Sequence, residues 1–216
     1  SIITIVLFFI YIFGLGYTVL YKLKKTESAS ERFFIYLSVG LGMALAAKLN
    51  KRKYRAFVLL GDSEIAEGEI YEALQLASYY KLNNLCAIVD VNRLGQRGET
   101  MVGWNTDKYA KRFASFGWEV KVINGHNISQ ILSALKKFRQ TKKPFVILAR
   151  TMKGKGVSFL ENRDGWHGHA LSKIDLEKAL DEIPVSDELK IDIKKPKFNK
   201  NNNEKRKLKI SSLTKY

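Results

Sequence analysis

The chain has 216 residues, 46% of them hydrophobic, and a formal net charge of +16. That hydrophobic content is typical of a globular protein, and the single cysteine, Cys86, excludes a disulfide framework. Much of the positive charge lies in the polar, Asn-rich segment 186–216, which has the composition of a solvated linker. Because no groove-reading motif accompanies this charge, we do not expect a nucleic-acid partner.

The chain begins with an apolar segment. Residues 2–20 contain no charged side chain, and Lys22, Lys24 and Lys25 follow. That length is enough for a membrane-spanning helix, which would anchor the chain through residues 2–21 with the lysines on the cytoplasmic side. A signal peptide fits less well, because a basic start and a small-residue cleavage site are missing. The alternative is a displaced N-terminus that packs on the domain or has no role.

Residues 39–150 alternate apolar strands with amphipathic helices. Apolar runs and alternation predict four strands, at 57–60, 85–89, 118–123 and 145–149. Apolar residues that recur on one face predict three helices, at 70–77, 109–116 and 128–138. This alternation predicts an α/β fold with three αβα layers, in which a mostly parallel central sheet is covered on both faces. A Gly-rich loop and a short helix follow.

Polar side chains follow the first two predicted strands. Gly61-Asp62-Ser63 ends the first strand, and Asn92-Arg93-Leu94 follows the second. Ligands of parallel sheets bind beyond the carboxyl ends of the strands, so the Asp62 carboxylate, the Asn92 amide oxygen and the Leu94 carbonyl would lie together. Such hard oxygen ligands, completed by a phosphate, suit Mg²⁺ or Ca²⁺. Asp and Asn are also common turn residues, so these positions alone leave a metal site and an ordinary turn both open.

A longer series of motifs resembles the transketolases, a family of thiamine diphosphate (ThDP) enzymes. Gly61-Asp62-Ser63 with Asn92 resembles the ThDP motif, which is Gly-Asp-Gly followed by Asn. Further stretches look like transketolase in particular, in the same order along the chain. These stretches are 64–68, 72–74, 77–85, 90–96, 116–118, 124–126, 153–157 and 166–168. The resemblance runs from about Val39 to Ile183, roughly two thirds of the chain.

The resemblance implies a ThDP-binding fold in which residues 39–185 form the diphosphate-binding (PP) module. Residues 1–38 do not match the family, and residues 186–216 form a basic tail. The resemblance further implies that Asp62, Asn92 and the Leu94 carbonyl ligate Mg²⁺, or Ca²⁺ or Mn²⁺, which bridges the two phosphates of ThDP. Gly61 and Ser63 would lie beside the diphosphate, and Ser63 stands where the motif usually has Gly.

Two residues of the Gly-rich loop also match the family. The resemblance implies that His167, in Trp166-His167-Gly168, is catalytic and contacts both the diphosphate and the reacting oxygen of the substrate. Lys153 matches a lysine beside the cofactor. The implied reaction transfers a two-carbon ketol unit between sugar phosphates in the pentose phosphate pathway, in the cytoplasm.

Two departures from the family limit these expectations. The family section before Val39, with its active-site histidines, has no match here, and the chain has three histidines. The pyrimidine-binding domain is also missing. The implied partner is therefore a C-terminal, pyrimidine-binding transketolase section or a homologous chain, in a homo- or hetero-oligomer. Three explanations stay open: the N-terminal half of a split transketolase, a catalytically inactive fragment or interaction module, and a membrane-anchored derivative.

Overall fold

The structure, a computed structural model, describes residues 36–183. The apolar segment at 2–21 and the basic tail at 186–216 lie outside these residues, so the predictions for them stay predictions. The described elements are, in chain order, α1 (Tyr36–Leu49), β1 (Ala56–Gly61), a short 3-10 helix (Glu64–Ala66), α2 (Gly68–Tyr79), β2 (Leu85–Val91), β3 (Leu94–Gly95), β4 (Gly98–Glu99), α3 (Thr106–Ser115), β5 (Glu119–Asn124), α4 (Ile128–Phe138), β6 (Phe145–Arg150) and α5 (Lys173–Glu182).

The main sheet of the described residues has four parallel strands in the order β1-β2-β6-β5. All four strands predicted from the sequence are present, and the three-layer αβα fold is confirmed. The sheet register pairs Leu60 with Val89, Val89 with Leu148, and Leu148 with Val122. The carboxyl ends of β1, β2 and β6 therefore lie side by side, which brings the segments that follow them together.

One face of the sheet packs on α1, α2 and α3. Leu37 of α1, Leu74 of α2 and Phe113 of α3 are fully buried in this core. The helix α1 lies close to β1, since a Cβ atom on Gly40 would be only 2.1 Å from Cγ2 of Val58. No helix is predicted at α1 from the sequence, because its residues are apolar on nearly all sides and show no helical period.

The other face packs on α4. Phe138 of α4 is buried with Phe145 and Ile147 of β6. On β1, however, Phe57 and Leu59 are more than half exposed on this same face. The expectation of a sheet covered on both faces therefore holds at β6 and fails at β1 in the described part of the chain.

Two further observations concern the cysteine and membrane-spanning helices. Cys86 is buried in β2, and burial raises the pKa of its thiol to about 12, so the thiol is inert. Among residues 36–183, no helix combines the length and the apolar character that crossing a bilayer requires.

Candidate functional site

The carboxyl ends of β1, β2 and β6 border a cleft of about 1040 Å³. Every site residue predicted from the sequence lines this cleft. These residues are Gly61, Asp62, Ser63, Asn92, Leu94, Lys153 and His167. The fold thus gathers side chains from three strand ends and from the Gly-rich loop into one place.

Asp62 is a buried carboxylate at the end of β1. Its Oδ2 accepts a hydrogen bond of 2.6 Å from the backbone N–H of Arg93. Burial raises the pKa of Asp62, the Arg93 N–H lowers it, and the nearby Asp90 carboxylate raises it further. None of the ion pairs found within residues 36–183 includes Asp62. The site therefore holds a desolvated acid that favours a nearby cation.

Asn92 and Leu94 lie next to that carboxylate, in a turn that follows β2. Arg93 adopts a left-handed backbone conformation, with φ of 67°. The Asn92 Nδ2 donates to Oδ2 of Asp90 at 2.9 Å, and its Oδ1 accepts from the Leu94 N–H at 3.0 Å. These bonds hold the amide and orient its oxygen at the same strand end as Asp62.

Asp90 is a supporting residue that the sequence analysis did not single out. One of its carboxylate oxygens binds the Asn92 side chain, and the other accepts a hydrogen bond from the Thr151 hydroxyl after β6. It thereby ties the end of β2 to the end of β6. The sequence signal for this supporting role was the position of Asp90 in the stretch 90–96, two residues before Asn92.

Glu64 is a second residue that the sequence analysis missed as a member of the site. It lines the cleft, and its Oε1 is buried and without a hydrogen-bond partner among the described residues. Burial is the main reason that the pKa of Glu64 is raised. An unpaired buried oxygen of this kind marks a place that favours a further donor or cation.

The Gly-rich loop brings Lys153 and His167 to the cleft. Lys153 Nζ donates to the Leu94 carbonyl at 3.3 Å and lies 2.9 Å from Nδ1 of His167. Burial, and then the Lys153 charge, lower the pKa of His167. Because an ammonium group can only donate, Nδ1 accepts, and the proton of the neutral ring lies on Nε2. The loop reaches this position through Gly154, whose φ is 71° and whose added Cβ would be 2.7 Å from the Leu160 carbonyl oxygen.

His126 has a structural role in this site. Its Nε2 accepts a hydrogen bond of 2.8 Å from the Met152 N–H. This bond fixes the start of the Gly-rich loop, one residue before Lys153.

The chemistry of the donors indicates which cation the site suits. In the described ranges, no group of three or more His, Cys, Asp or Glu side chains is placed to hold a metal ion. The oxygens of Asp62, Asn92 and Leu94 are instead one carboxylate, one amide and one backbone carbonyl. Such a set fits a hard divalent cation that also binds an anionic ligand such as a phosphate.

Comparison with known proteins agrees with this fold. The family profile described as "Transketolase, thiamine diphosphate binding domain" matches residues 38–209. The chain therefore belongs to the transketolase family, and the matched region is its thiamine diphosphate binding domain. The family resemblance predicted from the motifs is confirmed.

The chain matches only part of the length of each individual relative. The transketolase of Pongo abelii is 40% identical over 164 residues, which are 75% of this chain and 26% of that protein. One of the subunits of the apulose-4-phosphate transketolase of Phocaeicola vulgatus is 41% identical over 148 residues, 68% of this chain and 53% of that protein. The crystal structure of Campylobacter jejuni transketolase matches with a TM-score of 0.62 and 31% identity, over 68% of this chain and 24% of that one. The chain thus spans about a quarter to about half of these relatives.

Proposed function

We propose that this chain binds the diphosphate of ThDP through a divalent cation and forms the N-terminal part of a transketolase that transfers two-carbon ketol units. The observation that carries the proposal is the buried Asp62 carboxylate, which lies beside the Asn92 turn in a domain of the ThDP-binding family. A buried acid without an ion pair is costly unless a cation compensates it. The cation and the diphosphate would supply that compensation.

In this proposal Asp62, Asn92 and the Leu94 carbonyl hold the cation. Mg²⁺ is the ion we propose, and Ca²⁺ or Mn²⁺ would suit the same oxygens. Gly61 and Ser63 line the same edge of the cleft and would lie beside the diphosphate. ThDP, when bound, would supply the covalent chemistry of ketol transfer.

Lys153 would favour the diphosphate, and His167 would contact a substrate oxygen. The Lys153 ammonium lies between the Leu94 carbonyl and His167, so its charge would favour a diphosphate in the cleft. His167 is held with Nδ1 toward Lys153, which leaves its Nε2–H free to donate to a substrate oxygen. The lowered pKa keeps the ring neutral near pH 7, as a proton donor and acceptor requires.

A second part of the site would come from a pyrimidine-binding transketolase section, in a homo- or hetero-oligomer. The Phocaeicola vulgatus relative is itself named as one subunit of its enzyme, and this chain covers about half of it. That relationship supports a partner on a separate chain. Sugar phosphates of the pentose phosphate pathway are the substrates that we propose, in the cytoplasm.

Thermal unfolding with and without ThDP and Mg²⁺ tests cofactor binding. A ligand at a hundred times its dissociation constant would add about 2.7 kcal/mol to the free energy of unfolding, and a chelator should abolish the gain. In a second arm, the chain is mixed with a pyrimidine-binding transketolase section, ThDP, Mg²⁺ and an aldose phosphate acceptor, and consumption of a ketose phosphate is measured. Stabilisation without turnover would support the cofactor site and favour a catalytically inactive form, whereas no stabilisation would contradict the whole proposal.

A further inference from the structure

The cleft continues from the polar site into an apolar region that the described residues leave uncovered. Phe57 and Leu59 of β1 are 54% and 68% exposed, and Val39 and Met43 of α1 are 48% and 52% exposed. All four line the same cleft, and we call them the apolar patch. Single exposed apolar side chains are ordinary, but a group of them in one cleft marks contact with another segment.

The position of β1 is a second reason to expect that another segment covers the apolar patch. In the described sheet β1 pairs with β2 on one side and forms the edge on the other. Edge strands expose unpaired backbone groups and are usually covered or charged. The helix α4 reaches only the inner side of the patch, where Phe138 meets the Phe57 ring at a centroid distance of 5.3 Å. Leu59 remains the most exposed of the four residues.

We propose that residues 2–21 of the same chain cover the apolar patch. This segment carries no charge and is almost entirely apolar, so it also needs a surface that removes it from water. It is joined to the start of α1 by residues 22–35, and those 14 residues can extend over about 46 Å. A strand as long as β1 measures only about 20 Å, so the segment can reach every part of the patch.

The tether favours this occupant over a second copy. Docking within one chain benefits from the high effective concentration of a tethered segment, which a second copy does not have. A segment that crossed a bilayer instead would leave the patch exposed to water. This inference goes beyond the proposed function and does not depend on ThDP.

Photo-crosslinking of the full chain tests the inference. A benzophenone maleimide is attached to the variant Leu59→Cys, and the crosslinked peptides are mapped after irradiation. Leu132→Cys on α4 is the matched control, because Leu132 is 61% exposed but does not line the cleft. Cys86 does not compete for the label, because it is buried and its thiol pKa is raised. Mixing ¹⁵N-labelled with unlabelled chains distinguishes crosslinks within a chain from crosslinks between chains.

We expect crosslinks within one chain from position 59 to residues 2–21, at about tenfold or more the yield from position 132. Introducing charge with the double substitution Phe8→Asp and Ile12→Asp should reduce the yield from position 59 to the control level. Met43→Cys repeats the measurement from α1. Crosslinks between chains would show a second copy on the patch, and yields equal to the control would show that the segment does not dock; either result would overturn the inference. Resistance of the chain to alkaline carbonate extraction from membranes would overturn it as well.

Discussion

Replacing Asp62 with asparagine removes one negative charge from the cleft and keeps the shape of the side chain. In the wild-type chain, burial raises the Asp62 pKa above its ordinary value of 3.8. The folded state therefore disfavours the charged form, and ligand-free stability falls as the pH rises from 3.8 through the raised pKa. Asparagine does not titrate, so Asp62→Asn should be free of this loss at pH 7.

The expected magnitudes follow from the contacts of Asp62. The new amide oxygen can still accept the Arg93 N–H, now as a neutral instead of a charged acceptor, which weakens that bond by about 1 kcal/mol. The lost burial penalty offsets this change, so the ligand-free variant should lie within about 1 kcal/mol of wild type at pH 7. Wild type should gain about 2.7 kcal/mol from ThDP and Mg²⁺ at a hundred times the dissociation constant, or about 5–10 °C in Tm. The variant should gain almost nothing, because the cation has lost its charged ligand.

The assay is thermal unfolding at pH 7, with and without ThDP and Mg²⁺, repeated without ligand at about pH 4, close to the ordinary carboxylate pKa. Asp107→Asn is the control, because Asp107 is exposed in the first turn of α3, outside the cleft. The control should keep the full ligand-induced rise in Tm. If Asp62→Asn also keeps that rise, Asp62 does not bind the cation and the proposed site is wrong. A ligand-free variant destabilised by several kcal/mol would refute the reasoning about burial.

Two further predictions concern the supports of the site. Gly40→Ala should lower the free energy of unfolding by about 1–3 kcal/mol, because the new Cβ overpacks against Val58. The control Gly42→Ala has open space around its new Cβ and should raise the free energy of unfolding by about 0.5–1 kcal/mol. Urea unfolding measures both, and equal effects would contradict the close approach of α1 to β1. Lys153→Met should raise the pKa of His167 toward its ordinary value, because the neighbouring charge is removed. An NMR titration measures this pKa, and an unchanged value would show that the two side chains are not in contact.

The part of the site at the strand ends was predictable from the sequence. Apolar runs that end in Gly61-Asp62 and in Asp90-Val91-Asn92 mark buried parallel strands. In a parallel sheet the ends of adjacent strands must meet, so the proximity of Asp62 and Asn92 followed from one general rule. This prediction required β1 and β2 to be adjacent, and they pair directly in the sheet.

Other features depended on tertiary structure that no local pattern records. The helix α1 has two glycines and apolar residues on nearly every side, so it lacks the single apolar face by which a helix is predicted from sequence. The contact between Lys153 and His167 depends on the path of a loop with positive φ angles at Gly154, Gly156 and Gly165. The exposed second face of β1 could not be predicted either, because an apolar run such as Phe57-Val58-Leu59-Leu60 reads as buried on both sides.

The separation of the cleft residues along the chain has a consequence for folding. Asp62 and His167 are 105 positions apart, and between them the chain crosses from β1 to β2, out to β5 and back to β6. Contacts between such distant residues require closure of long loops and therefore form late. The nascent chain can hold a ligand here only after its sixth strand has inserted between the second and the fifth, so ligand capture would report that the four-stranded sheet is assembled.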